Sequence, residues 1–122
     1  MLRSEFDTSG IVEIPRLGVS IPFVVAPDQN TRIDLASYRS QLVTDHGHDS
    51  EGGNNGVRVT SDQPVTVYAF NHTNASLDAT AVLPTSNLGD DYILVSHGDG
   101  DTLYGSGQFG VVAVEELSLI HI

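Results

Sequence analysis

Two acidic, histidine-bearing stretches hold many of the side chains in this chain that could bind a metal or move a proton. Asp45, His46, His48, Asp49 and Glu51 fall within TDHGHDSEGGNN, residues 44–55, and His97, Asp99 and Asp101 follow Asp90 and Asp91 in the sequence HGDGD. Imidazole and carboxylate groups suit Zn²⁺ or another divalent ion, and an oxygen-rich loop suits Ca²⁺. Neither stretch meets the whole requirement. The first is glycine-rich and almost devoid of apolar residues, with no second cluster of matching spacing, so it reads as a solvated acidic loop. The second lacks the distal bidentate carboxylate of a calcium loop, because TLYGSGQ comes after Asp101, and it reads as an Asp-Gly turn. No metal ligand is assigned.

A nucleophilic site is equally hard to assemble. The chain has no cysteine. Ser106 lies between Gly105 and Gly107, which is a glycine-flanked loop and not the strand-to-helix elbow that exposes a catalytic serine. Five histidines and sixteen carboxylates could form a triad or a glycosidase pair only if the fold gathered them, and no spacing nominates particular members. There is no lysine, hence no phosphate-cradling loop of the Walker type. The expectation is a protein with no catalytic residues and no cofactor. Asn71-His-Thr73 and Asn74-Ala-Ser76 match the glycosylation acceptor pattern, but Asn71, Thr73 and Asn74 read better as turn residues bonding to the backbone. Tyr68 and Phe70 share one face of an expected strand. They would form an aromatic ligand platform if exposed, and the preferred reading is core packing.

Composition narrows the partners. Sixteen acidic side chains against five basic ones give a net charge of -11, and all five bases are arginines: Arg3, Arg16, Arg32, Arg39 and Arg58. Such a surface repels phosphate backbones and anionic membranes, so neither nucleic acid nor membrane insertion is expected, and no apolar run approaches the length of a membrane span. The segment MLRSEFDTSG, residues 1–10, is too polar and too short for a secretory signal. An exported protein would carry its export signal outside this chain.

The elements that must position these groups are strands. With 122 residues there is enough chain for one domain with a core. Short β-branched runs separated by turn residues predict strands near Ile11–Ile14, Ile21–Ala26, Thr31–Leu35, Gly56–Thr60, Val65–Asn71, Ala79–Leu83, Tyr92–Ser96 and Gln108–Val114. Turns are expected at Pro27–Asn30 and Asp62–Pro64. Val57 and Val59 alternate with Arg58 and Thr60, which predicts one wet face. The run from Val65 is apolar on both faces, which predicts an interior strand. Helix signals are poor, and Leu35–Val43 reads as a loop or short strand. The fold class is all-β, an antiparallel sandwich-like module.

The stretch from Gly56 to Tyr92 has a recognisable wording. It reads GVRVTSDQPVTVYAFN to Asn71, then Ser76-Leu-Asp-Ala79, Leu83-Pro84, Leu88-Gly89 and Tyr92, with Phe109-Gly-Val-Val-Ala113 downstream. In order and spacing this resembles the N-terminal domain of IgG Fc-binding protein and its bacterial relatives, over about Gly10 to Glu116. The resemblance implies an extracellular or cell-surface binding and adhesion domain without enzymatic activity. Antibody binding does not carry over, since no residue motif assigns it.

Family members carry further strands on both sides, so the chain reads as an incomplete part of a larger β domain, with further domains of the parent chain expected. For the last six residues, Leu117–Ile122 (LSLIHI), one back-translation resembles a transposase end sequence used to tag DNA libraries, and they are expected to be adapter-derived, the alternative being a genuine strand-like tail. The ligand is expected to be a protein or a glycan, and the loops Asp45–Asn55 and His97–Gly107 are the expected recognition surfaces. The alternatives are a structural spacer of a surface protein, or an accessory domain of a carbohydrate-active enzyme.

Overall fold

The computed structural model describes residues 1–42, 55–72, 77–93 and 114. The chain divides into two compact units, Met1–Val82 and Leu83–Ile122. The first is an antiparallel two-sheet β structure. One sheet contains β1 (Leu2–Arg3), β4 (Asn30–Thr31), β6 (Thr66–His72) and β7 (Leu77–Val82), in the order β4-β1-β6-β7. The other contains β2 (Thr8–Ile14), β3 (Val19–Val25) and β5 (Arg58–Ser61), in the order β3-β2-β5. Every pairing among them is antiparallel, so the expected fold class is what the chain adopts.

Side-chain alternation builds the core. Thr8, Val12 and Ile14 on β2, and Phe23 and Val25 on β3, are buried, while Ser9, Ile11, Pro22 and Val24 between them are exposed. From the opposite sheet Leu2 is buried as well, and Leu2, Val12, Phe23 and Val25 form one cluster against which Ile21, Ile33, Leu35, Val59 and Val67 pack. Leu2 stands opposite both Val67 and Thr31 in its sheet. A sequence of two strand residues flanked by charge carries no periodicity, which is why β1 is absent from the expected strands.

Two buried hydroxyls fasten this N-terminal segment to the turn between β5 and β6. Ser4 Oγ donates to the Pro64 carbonyl at 2.8 Å and accepts from the Phe6 N–H at 3.0 Å. Thr8 Oγ1 accepts from the Gln63 N–H at 2.9 Å. Among the described residues no buried side-chain polar atom lacks a partner, so these two cost little to bury. The expected Pro27 turn is present: Gln29 N–H donates to the Ala26 carbonyl at 3.1 Å, and Asp28 sits at φ 57°, the type II arrangement with proline first. Arg3 reaches the Asp28 carboxylate at 3.0 Å.

Several expectations change. The strand expected at Thr31–Leu35 is only Asn30–Thr31, because Asp34 Oδ1 accepts from the Ala36 N–H at 2.9 Å and turns the chain. The next residues are helical, a 3-10 turn at Ala36–Tyr38 and the single α-turn α1 (Arg39–Leu42), where a loop or strand is expected. Asn71 closes no turn; it lies within β6 opposite Asp78. Tyr92 and Ile93 belong to no strand and Val114 lies at a bend, while the rest of the two strands expected there falls outside the described residues.

Gly10 and Pro22 show how tightly the second sheet is drawn. A Cβ at Gly10 would stand 2.1 Å from the Thr60 carbonyl oxygen and 2.5 Å from the Phe23 ring. The Phe23 ring therefore occupies the space that only a glycine leaves. Pro22 lies on β3, an edge strand among the described residues. The Ser9 carbonyl accepts from Asp62 on the β5 side at 3.0 Å, and the Val24 carbonyl accepts from Thr31 Oγ1 at 2.9 Å. The Ser9–Val24 pair thus carries no ladder bond, and two residues on, neither does Ile11–Pro22. Pro22 removes no bond from the sheet and takes one donor away from its outer edge.

Gly10→Ala is expected to lower stability by about 1–3 kcal/mol or more through overpacking, whereas Gly18→Ala, at φ 62° with nothing within 4 Å, costs about 1 kcal/mol from backbone strain alone; urea unfolding of both variants checks the contrast. Pro22→Thr is expected to leave stability within about 0.5 kcal/mol, as for a surface change, and to increase self-association by restoring an edge donor, read by sedimentation velocity across a concentration series.

Candidate functional site

The outer face of the first sheet carries an exposed aromatic pair. β6 and β7 are in register as Tyr68 with Ala81, Phe70 with Ala79 and His72 with Leu77. These residues share one face of the sheet because side chains alternate with period two. Val67 points the other way, into the core. Tyr68 is 38% exposed, Phe70 53% and Leu77 63%. The preferred expectation of core packing for Tyr68 and Phe70 is thereby overturned: both are exposed, as are Ala69 and Asn71 on the opposite face of β6. An apolar residue on both sides of a strand reads the same whether one face is covered by protein or open.

The two aromatic positions are roughly 7 Å apart along the strand. Across from them Ala79 and Ala81 end at their Cβ atoms, so the β7 side of the platform has low walls. His72 stands at one end with ring nitrogens that can donate and accept. At the other end the sheet continues through Thr66, which is opposite Arg3, and Arg3 is held by Asp28. The register is fixed from the β1 side as well. The Tyr68 N–H donates to the Met1 carbonyl at 2.9 Å, and the Met1 amino group donates to the Tyr68 carbonyl at 2.8 Å. Burial first, then the positive charge of Arg32, lowers the pKa of that amino group.

The second sheet also has an exposed apolar outer face. A shallow open cleft of about 490 Å³ is lined by Ser9, Gly10, Ile11, Pro22, Phe23, Val24 and Asp62. Val24 is 70% exposed, and the Ser9 hydroxyl donates to the Asp62 carboxylate beneath it. The alternation of Ile11, Pro22 and Val24 with buried neighbours is the sequence signal for this face, as Leu77, Ala79 and Ala81 are for the first.

The remaining sequence candidates fall differently. Of Asp45–Asn55 only Asn55 lies among the described residues, and His97–Gly107 lies wholly outside them, as do Thr73, Asn74 and Ser106. Asp90 and Asp91 are exposed. Among the described residues no three His, Asp or Glu side chains are gathered as a metal site, and no helix is long and apolar enough to cross a membrane. In the second unit the Leu88-Gly89…Tyr92 wording has a local cause. The Gly89 N–H donates to the Tyr92 hydroxyl at 2.9 Å, closing a corner just after the 3-10 turn Thr85–Asn87.

No protein-family model, no curated protein and no solved structure matches this chain.

The lowered amino pKa has a sign that can be worked out. Between the folded value and the ordinary α-amino range, the unfolded chain binds more protons than the folded one, so stability rises with pH through that window and is flat above it. Thermal melts across this range are expected to show the rise, and acetylation of the Met1 amino group is expected to abolish it.

Proposed function

We propose that this chain is a non-catalytic binding or adhesion module of a secreted or cell-surface protein, and that it takes a protein or glycan ligand on the Tyr68–Phe70 face. The observation that carries the reading is the exposure of two aromatic side chains, two residues apart, on an interior strand whose Val67 packs against the core. Aromatic groups bring large contact area with few rotatable bonds to freeze, and they dominate binding energies where they are held rigidly. The extracellular setting is supported by the resemblance of Gly56–Tyr92 to the N-terminal domain of IgG Fc-binding protein. A net charge of -11 favours ligands that are neutral or basic over phosphate-rich ones.

The test is attachment to immobilised mucin, a glycan array and candidate host proteins. Saturable binding is expected, and the double substitution Tyr68→Ala, Phe70→Ala is expected to weaken it at least about tenfold, the loss typical of central aromatic contacts, with the melting temperature little changed. Absence of saturable binding on every surface would leave the spacer reading. Binding that survives the double substitution would move the site to the loops at Asp45–Asn55 or His97–Gly107.

A further inference from the structure

Asn55 and Gly56 form the one Asn-Gly pair in the chain, and their surroundings set them apart from the other described asparagines. Asn30 is in β4 before the β-branched Thr31, and Asn71 is in β6 before His72. Asn87 ends a 3-10 turn, and the N–H that follows it, that of Leu88, is bonded to the Thr85 carbonyl. Residues 55–57 belong to no strand or helix, and Asn55 and Gly56 are half-buried. β5 starts only at Arg58, and among the described residues the Gly56 N–H has no acceptor. Gly56 has no Cβ to obstruct its own nitrogen and the widest backbone freedom of any residue.

The Asn55 side chain is not free. Arg16 Nη1 donates a hydrogen bond to Asn55 Oδ1. Arg16 is placed by the 3-10 turn Pro15–Leu17, which ends at Gly18 in the left-handed conformation. A guanidinium on the amide oxygen draws electrons from Cγ. It also stands where negative charge develops if Cγ is attacked, the arrangement of an oxyanion hole with a charged donor.

We infer that Asn55 is a site of spontaneous backbone-assisted deamidation, and that Arg16 accelerates it. The Gly56 backbone nitrogen, after loss of its proton to solvent base, attacks Asn55 Cγ. The Cγ–N bond of the side-chain amide breaks and that nitrogen leaves as ammonia, taking up a proton, so a five-membered succinimide remains. Water then opens the ring at either carbonyl to give aspartate or isoaspartate. Nothing is oxidised or reduced, and water is the sole co-reactant. Opening to aspartate places a carboxylate against Arg16 and turns a neutral acceptor into an ion pair. Opening to isoaspartate adds a methylene to the backbone just before β5. Either product adds a negative charge to an already acidic chain.

The experiment is incubation of the purified full chain in mildly alkaline buffer, then peptide mass spectrometry of every asparagine. Asn55 is expected to convert first, and Gly56→Ala is expected to suppress its conversion. Arg16→Ala is expected to slow it about tenfold, the factor lost with one charge-assisted hydrogen bond to the transition state, and Arg16→Lys to restore part of the rate. Circular dichroism of each variant checks that the fold is kept. Asn55 remaining intact while Asn30, Asn71 or Asn87 converts would overturn the site. An unchanged or faster rate in a folded Arg16→Ala protein would overturn the role of Arg16.

Discussion

Closure of the two-sheet core depends on the first fourteen residues belonging to both sheets. Leu2 is the buried anchor of β1, and Val12 and Ile14 are the buried anchors of β2, so the segment between them must cross from one sheet to the other. A crossing segment leaves ladder bonds behind, and its polar groups have to be satisfied elsewhere. Ser4 and Thr8 do this with hydroxyls that bind the backbone of Gln63 and Pro64. The same bonds fix the turn from which β6 departs, and hence the position of the aromatic face that β6 carries. The hydrophobic cluster supplies most of the free energy, but these hydroxyls set where the second sheet sits relative to the first.

Both sheets present apolar side chains outward, and they treat that exposure differently. On the second sheet Pro22 removes a donor from the edge and the Thr31 hydroxyl occupies the Val24 carbonyl, so the exposed Ile11 and Val24 lie beside an edge poorly suited to strand pairing. On the first sheet the aromatic pair lies on β6, with β1 on one side and β7 on the other. β7 pairs with β6 from Val67 to His72, and Met1–Arg3 meet it from Thr66 to Tyr68, so at Tyr68 the side chain can be contacted while the backbone bonds stay committed. That is a surface for recognition by shape and stacking more than for strand addition.

Much of this fold is legible in the residues. The alternation in Thr8–Ile14, Val19–Val25, Arg58–Ser61 and Thr66–His72 marks strands, and Pro27-Asp28 and Asp62-Gln63-Pro64 mark turns, because backbone chemistry at those positions is local. β1 is not legible, since two residues carry no period and Leu2 is held by partners at positions 31 and 67. The helical turn at Ala36–Leu42 is hidden for a different reason: its start depends on one Asp34 side chain choosing the Ala36 N–H. The candidate face was visible as residues but not as a surface. Tyr68 and Phe70 alternate with Val67 and Ala69 in a pattern that fits two covered faces as well as one, and only three-dimensional placement distinguishes them.

The contact between Met1 and Tyr68 spans 67 positions of the chain, and this has a consequence for biosynthesis. β2 and β3 form a hairpin joined by a short turn and can pair as soon as both have been made. β1 cannot pair in the same way, because β6 is made much later and closing so long a loop carries an entropic cost that must be met before any bond rewards it. During synthesis the nascent chain therefore holds a formed hairpin and a waiting N-terminal arm, with Leu2, Val12 and Phe23 uncovered on the side that the other sheet will occupy. That interval is the period in which the polypeptide is most exposed to association with its neighbours.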